Sequence, residues 1–346
     1  MHNCSKDTLA YHDNEVTLPQ SERTTMRDRR NANRERLLKR LKDTENPCPQ
    51  EFIKQGSYAM LTMVQDTSND YDIDDGVYFT QASLKGPNGG DKTARDARQM
   101  VCNALQDSRF NKAPDVHKNC VRVYYNYGYH VDMPIYRIRE DDGDYELASG
   151  SDWVHSRAAD VEEWFDNANR AKSPDENNGR QFRRVVRMLK KFAKSRDSWK
   201  GQTASGFAIT ILTEERFVAN KDREDTTLRD TMRAIYNRLL CNLEVGHPVT
   251  PGAMVTNGPD DAKMKFFRDK LKEALDNLAV LDEADCTREK ALKAWDKVFN
   301  TKFFINRYEE SKEEGRSAGN SSILSGLIAT KSEPPAVDKI GGGRFA

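Results

Sequence analysis

The sequence predicts an α+β fold, in which a strand-rich first half precedes an all-helical second half. In the first half, short stretches alternate apolar and polar residues, which is the pattern of strands with one buried face. In the second half, apolar residues recur every three or four positions, as in amphipathic helices. We therefore expect a flexible N-terminus, a sheet domain led by a long helix, a helical lobe and a flexible C-terminal tail, over residues 1–18, 19–157, 158–308 and 309–346.

The composition is that of a polar but folded protein, with 37% hydrophobic and 32% charged residues. Because 55 acidic and 55 basic residues give zero net charge, no overall positive field indicates DNA or RNA binding. The six cysteines form no C-x-x-C pair, and the chain starts without a hydrophobic signal segment. No run approaches the roughly 18 apolar residues of a membrane span. We expect a cytoplasmic protein with reduced thiols.

The first predicted element is a long helix from Pro19 to Asp43. It is rich in Arg, Lys and Glu and has few apolar positions, which indicates a mostly solvated surface. Asn46-Pro47 ends it, because the residue before a proline disfavours the helical conformation. A second, amphipathic helix is predicted over 92–107, where apolar residues recur at helical spacing.

Two further strands are predicted after this helix. Cys120 to Tyr125 alternates, a turn at 126–128 follows, and Tyr129 to Arg137 alternates again. Asp132 is then a lone acid on the second of these strands. It is either an exposed surface residue or a third carboxylate beside an acidic pair on a neighbouring strand.

The second half is predicted to be helical throughout. One helix is marked by Val161, Trp164 and Phe165, and the next runs from about Phe182 to Phe192 with arginines and lysines between its apolar positions. Four more helices are predicted at about 204–218, 225–245, 261–281 and 284–300.

Two carboxylates share one face of a strand in the first half. From Asp72 to Phe79, apolar residues keep one parity, whereas Asp72 and Asp74 share the other. Successive side chains of a strand point to opposite faces, so the two acids project together, about 7 Å apart. Such a pair holds one or two Mg²⁺ ions against a nucleotide triphosphate. The pattern indicates a metal-dependent nucleotidyltransferase.

Other metal sites fit the acidic run less well. The run begins like a calcium-binding EF-hand loop, but Asp75 stands where that loop needs glycine and Gln81 where it needs glutamate. The histidines and cysteines show no zinc-ligand spacing.

Nucleotidyl transfer also needs groups that hold the triphosphate. Gly56-Ser57 supplies backbone N–H groups if it lies at a helix start. The chemistry further needs a cation to neutralise developing charge, and Lys190, on the basic face of the helix over 182–192, is the candidate from spacing.

These motifs together resemble a known superfamily. Gly56-Ser57, Asp72-x-Asp74 and a later single Asp132 resemble the polymerase-β-like nucleotidyltransferases. Longer strings narrow the resemblance to the bacterial cGAS/DncV-like nucleotidyltransferases, and among them to the cyclic GMP-AMP synthases. The strings are QGS at 55–57, YDIDDGVY at 71–78, HVDMPIY at 130–136, WVHS at 153–156, VEEWF at 161–165, the helix at 182–192 and, more faintly, SGFA at 205–208. The resemblance covers roughly residues 50–210.

The resemblance implies a polymerase-β-like core with a mixed sheet, a long N-terminal helix and a helical C-terminal lobe, with the site in the cleft between them. Asp72, Asp74 and Asp132 would bind Mg²⁺ or Mn²⁺, and Asp132 would also help to activate the attacking ribose hydroxyl. The groups implied to contact the substrate nucleotides are Gln55, Gly56, Ser57, Lys190, Ser205 and, on a base or phosphate, Arg122.

The substrates implied by the resemblance are ATP and GTP, and the product is cyclic GMP-AMP, read by a separate effector in bacterial anti-phage signalling. Another cyclic di- or trinucleotide, a linear oligonucleotide, and an inactive nucleotide-sensing relative are the alternatives. In some such systems a ubiquitin-transfer-like protein conjugates the synthase through its C-terminus. Gly341 to Gly343 and the terminal Ala346 suit that chemistry, and an unconstrained tail is the alternative.

Overall fold

The computed structural model describes residues 2–66, 71–86 and 88–313, and confirms the α+β fold with a mixed sheet. The strands are β1 Glu51–Gln55, β2 Tyr71–Thr80, β3 Asp115–Val116, β4 Val121–Tyr124, β5 Tyr129–Met133, β6 Ile135–Ile138, β7 Tyr145–Ser149 and β8 Asp152–His155. The helices are α1 Ser5–Tyr11, α2 Gln20–Asp43, α3 Gly56–Ala59, α4 Ala94–Leu105, α5 Asp160–Lys172, α6 Gln181–Ala193, α7 Gly206–Arg216, α8 Glu224–Cys241, α9 Ala262–Leu278 and α10 Arg288–Phe299. Residues 303–313 are also helical.

Strand β2 is the centre of the sheet. It pairs antiparallel with β1 and parallel with both β5 and β6. The single strand expected from Tyr129 to Arg137 is wrong, because Pro134 has no N–H to donate and separates β5 from β6. The register nevertheless continues across the break, since the Pro134 carbonyl accepts from the Val77 N–H at 2.9 Å.

Helix α2 packs on this sheet domain through a narrow apolar stripe. Met26, Leu37 and Leu41 are fully buried in the same core as residues of β2 and α4. Several of its arginines also face inward. Arg29 lies over the Tyr129 ring at 3.8 Å, and Arg34 forms a two-bond ion pair with the fully buried Asp75. The basic residues of α2 therefore serve in part to attach the helix.

Helices α6 to α10 bury their apolar faces in a separate core, as the sequence predicts. Phe192, Phe267 and Trp295 are at most 1% exposed there. A smaller cluster of α5 and α6 residues includes Met60, which follows α3 in the sheet half. The two halves of the chain therefore meet at the segment between α3 and β2.

The expectation of a flexible stretch over residues 1–18 is wrong for the described part of it. Helix α1 and a π-helical turn, His12–Val16, place Cys4, Tyr11 and Val16 in the core of the helical lobe. Tyr11 packs against the rings of three phenylalanines, Phe299, Phe303 and Phe304. Too few apolar residues occur here to show a periodicity, so the burial depends on the partner helices.

The expectation that a flexible tail begins at residue 309 is wrong for residues 309–313, which continue the last helix. Residues 314–346, including Gly341 to Gly343 and Ala346, lie outside the described residues. Within the described ranges, the structure contains no helix of the length and apolarity needed to span a membrane.

Candidate active site

Two neighbouring strands bring the predicted acids together. The parallel register of β2 and β5 sets Asp74 directly opposite Asp132, and Asp72 opposite His130. Side chains at paired positions of adjacent strands lie on the same face of a sheet. Asp72, Asp74 and Asp132 therefore share one face of the sheet where the first half of β2 pairs with β5, as a three-carboxylate site requires.

The environments of the three acids differ. The Asp72 side chain is 52% exposed, whereas that of Asp132 is only 12% exposed. Burial, together with the negative charges of Asp132 and Asp72, raises the pKa of Asp74 to about 7. A carboxylate so destabilised in its charged form gains strongly from a nearby cation.

Arg122 on β4 provides such a cation. It lies opposite Asp132 in the antiparallel β4–β5 pair and donates from Nε and Nη2 to the two Asp132 oxygens, each at 2.7 Å. Its Nη2 is also 3.7 Å from Asp72 Oδ1. The ion pair with Asp132 was missed from the sequence, although pairing the two strands across the turn at 126–128 would have found it. Its expected contact with a base or phosphate stays a prediction.

The Gly56-Ser57 turn is joined to the acids by backbone geometry. Strand β1 runs antiparallel to β2 and sets Gln55 opposite Asp74, so α3 begins beside the carboxylates. Gly56 has φ +63°, and a Cβ at this position would lie 2.1 Å from Asp74 Oδ2. Only glycine combines this conformation with so close an approach. The glycine is therefore required by the acid beside it.

Gln55 is held beneath this turn. Its amide Nε2 donates to the Tyr78 hydroxyl at 2.7 Å, and its Oε1 accepts from the Tyr136 hydroxyl at 3.1 Å. The two tyrosine rings stack with centroids 4.4 Å apart. The side chain of Gln55 thus forms hydrogen bonds with two buried tyrosines of the sheet. Its contact with a triphosphate stays a prediction.

The helical lobe contributes the predicted cation. Lys190 on α6 is 6% exposed and donates from Nζ to Thr62 Oγ1 at 2.7 Å. Burial, with the positive charges of Lys194 and Arg187, lowers the pKa of Lys190 to about 7. It forms no ion pair with a carboxylate of the described chain. Thr62 in turn donates its N–H to the Ser57 carbonyl at 2.9 Å, so Lys190 reaches the Gly56-Ser57 turn through one residue.

Ser205 lies beside Lys190. Its hydroxyl accepts from the Ala208 N–H at 3.1 Å and caps the start of α7. A Cβ on the next residue, Gly206, would lie 3.4 Å from Lys190 Cε. The structure therefore gathers Lys190 and Ser205 from the helical lobe near the turn.

Carboxylate oxygens are the donors that Mg²⁺ and Mn²⁺ prefer. The negative charges of Asp72 and Asp132 both act on Asp74, and a positive ion bound beside it would offset them. As the side chains stand, no three His, Cys, Asp or Glu residues within 2–66, 71–86 and 88–313 form a ready metal cluster. Arg122 occupies both oxygens of Asp132, so this carboxylate is already engaged in an ion pair.

Known proteins resemble this chain in sequence over part of its length and in fold over most of it. Residues 50–136 match the family described as the cyclic GMP-AMP synthase DncV-like nucleotidyltransferase domain. CdnC of E. coli MS115-1, solved with ATP, is 18% identical, with a TM-score of 0.65 over 86% of this chain and 98% of its own. The DncV cyclic AMP-GMP synthase of Vibrio cholerae, solved with a linear intermediate, is 16% identical, with a TM-score of 0.65 over 86% of this chain and 96% of its own. At these identities the likeness shows the fold.

Proposed function

Because the chain carries a DncV-like nucleotidyltransferase domain over residues 50–136, we propose that it makes cyclic GMP-AMP from ATP and GTP. One observation carries the proposal: three carboxylates share a sheet face beside a glycine turn whose backbone touches Asp74. Its product would be a signal read by a separate effector in anti-phage defence.

Asp72, Asp74 and Asp132 would hold Mg²⁺ or Mn²⁺. When bound, the ion supplies charge neutralisation for the phosphates and the leaving pyrophosphate. Arg122 would then give up at least one oxygen of Asp132, and its guanidinium would be free to pair with an incoming phosphate or base. Asp132 would also accept the proton of the attacking ribose hydroxyl.

The triphosphate would lie between the Gly56-Ser57 turn and the helical lobe. Lys190 is a buried cation whose one partner in the described chain is the neutral Thr62 hydroxyl. A buried charge without a counter-ion is costly, so the position favours binding of an anion. Ser57 and Ser205 would donate their hydroxyls to the same phosphates, and Gln55 would support the turn from below.

The reaction would proceed in two transfers. A ribose hydroxyl of one nucleotide attacks the α-phosphate of the other, a new phosphodiester bond forms, and pyrophosphate leaves. The linear dinucleotide then turns over, and its free hydroxyl attacks the remaining α-phosphate, which releases a second pyrophosphate and closes the ring. The V. cholerae DncV structure with a linear intermediate supports this order.

Incubation of the full chain with labelled ATP, GTP, CTP and UTP, with Mg²⁺ or Mn²⁺, tests the proposal. After phosphatase treatment, mass spectrometry identifies any resistant product and shows which bases it contains. We expect cyclic GMP-AMP from the unaltered protein and none from Asp72→Ala/Asp74→Ala. A product of other bases or ring size would replace the substrate assignment, and no product under any condition would favour a nucleotide-sensing role.

A further inference from the structure

The segment from Met60 to Asp66 directly follows helix α3, which begins at the glycine turn. Along its length it is held by basic residues of α6 and the turn that follows it. Their spacing of four, three, one and three residues places them on one helical face. The bonds, in chain order, are Arg183 Nε to the Met60 carbonyl at 3.1 Å, Arg187 Nε to the Leu61 carbonyl at 2.8 Å, Lys190 Nζ to Thr62 Oγ1 at 2.7 Å, Lys191 Nζ to the Gln65 carbonyl at 3.0 Å, and Lys194 Nζ to Asp66 Oδ2 at 3.0 Å.

The N-terminal segment holds the same connection from the other side. Thr17 forms a β-bridge with Val64, and the Gln65 N–H donates to the Val16 carbonyl at 3.0 Å. The Gln65 side-chain amide donates to the carbonyls of Asn14 and Thr17 at 2.9 and 2.8 Å. Segment 60–66 therefore lies between the basic face of α6 and residues 14–17.

Arg187 has few other interactions. It is 4% exposed and forms no ion pair within the described ranges; besides Leu61, its Nη1 contacts His12 Nε2 at 3.5 Å. Its neighbour Arg184, equally buried, pairs instead with Glu224 and Asp175, away from the segment. Leu61 has φ +55°, a left-handed conformation that is unfavourable for a residue with a side chain. The buried guanidinium of Arg187 thus stabilises the unfavourable backbone conformation of Leu61 by a hydrogen bond to its carbonyl.

We propose that Arg187 and Gln65 are positioning residues for the nucleotide triphosphate. Together they hold segment 60–66 in the shape that orients Ser57 and Lys190 toward the phosphates. The coupling is direct, because Thr62, next to Leu61, bonds the Ser57 carbonyl through its N–H and Lys190 through its hydroxyl. This inference rests on the proposed function. It adds Arg187 and Gln65 to the residues that serve triphosphate binding, and Gln65 is held by the N-terminal segment.

Arg187→Met tests the proposal, since it removes the donor and the buried charge while keeping most of the volume. Arg196→Met is the matched control: Arg196 also donates to carbonyls, those of Val298 and Lys297, outside the segment. Two quantities are measured on each full-length variant with Mg²⁺ present. They are the Kd of α,β-methylene ATP and the hydrogen-exchange rate of peptides covering residues 57–66.

We expect Arg187→Met to weaken the analogue about tenfold, as loss of a charged hydrogen bond would, and to speed exchange in the segment. Arg196→Met should do neither, and Arg187→Lys should recover part of the affinity. Gln65→Ala, which leaves the buried charge of Arg187 in place, should also weaken the analogue and speed exchange in the segment. If Arg187→Met does not fold, Gln65→Ala tests the positioning role instead.

Unchanged affinity and exchange in folded Arg187→Met or, failing that, in Gln65→Ala, would overturn the positioning role. A different failure would concern the proposed function. If the unaltered protein binds no triphosphate, the proposed function is wrong. Faster hydrogen exchange of residues 57–66 in Arg187→Met would still show that Arg187 stabilises segment 60–66, and unchanged exchange would refute that.

Discussion

Replacing Lys190 by methionine should stabilise the nucleotide-free protein against unfolding and should weaken its binding of nucleotide triphosphate. A pKa lowered from 10.5 to about 7 corresponds to ~5 kcal/mol at about 1.4 kcal/mol per unit. This is the order of magnitude by which burial penalises the ammonium. Replacement of a buried ion pair by apolar side chains of similar volume is often neutral or stabilises by about 1–4 kcal/mol, and Lys190 has only a neutral hydroxyl to lose as a partner within the described residues. We expect a gain within that range for Lys190→Met at neutral pH.

The pH dependence separates this cause from better packing. Between pH 7 and 10.5, the unfolded chain keeps the Lys190 proton and the folded chain loses it. The unfolded state therefore binds more protons, and the stability of the unaltered protein gains from this residue as the pH rises through that window. Lys190→Met lacks this contribution. Its advantage over the unaltered protein should be largest near pH 7 and shrink toward pH 9.

Urea unfolding followed by circular dichroism, at several values between pH 7 and 9, measures both effects. Lys54→Met is the control, because Lys54 is half exposed and pairs with Glu162 at the surface. With α,β-methylene ATP and Mg²⁺ added, the unaltered protein should gain stability and Lys190→Met should gain little. A Lys190→Met protein that is less stable at pH 7 and binds the analogue normally would show that the buried charge of Lys190 neither destabilises the fold nor contributes to nucleotide binding.

Two further predictions concern residues around the acids. Gly56→Ala should abolish nucleotidyl transfer, because a Cβ at Gly56 would meet Asp74 Oδ2. Gly143→Ala is the control, since Gly143 also has positive φ but its Cβ would have nothing within 4 Å, and its activity should be unchanged. Steady-state product assays compare the two variants, and an active Gly56→Ala protein would contradict the close approach of Gly56 to Asp74. Arg34→Met should destabilise the fold by about 3–5 kcal/mol, since it leaves Asp75 buried without its partner. Urea unfolding measures this, with the exposed Arg27→Met as control, and equal stabilities would show that the Arg34–Asp75 ion pair does not stabilise the attachment of α2.

Local patterns could predict much of the fold and part of the site. The parity that placed Asp72 and Asp74 on one face follows from the strand alone, and the basic face of α6 follows from helical spacing. What adjoins each face depends on register and tertiary contacts. The pairing of Asp74 with Asp132 requires the parallel alignment of β2 and β5, which no local pattern encodes.

The features that could not be predicted from local sequence patterns share one physical reason. The segment around Tyr11 is too short and too polar to show a period, and it is buried because α8 and α10 cover it. Pro134 divides an alternating run that reads as one strand. Asp75 reads as one more acid in the run, yet it is fully buried against Arg34, forty-one residues earlier. Each outcome depends on a distant partner.

The rate of product formation by single carboxylate variants tests whether the acids of β2 and β5 hold the divalent ion needed for nucleotidyl transfer. Asp74→Asn and Asp132→Asn keep the size of the side chain and remove the charge needed to hold a divalent ion, and Asp152→Asn on β8 is the control. We expect the first two to lose at least ~100-fold in rate and Asp152→Asn to be as active as the unaltered protein. Full activity of either Asp74→Asn or Asp132→Asn would contradict this role of the acids.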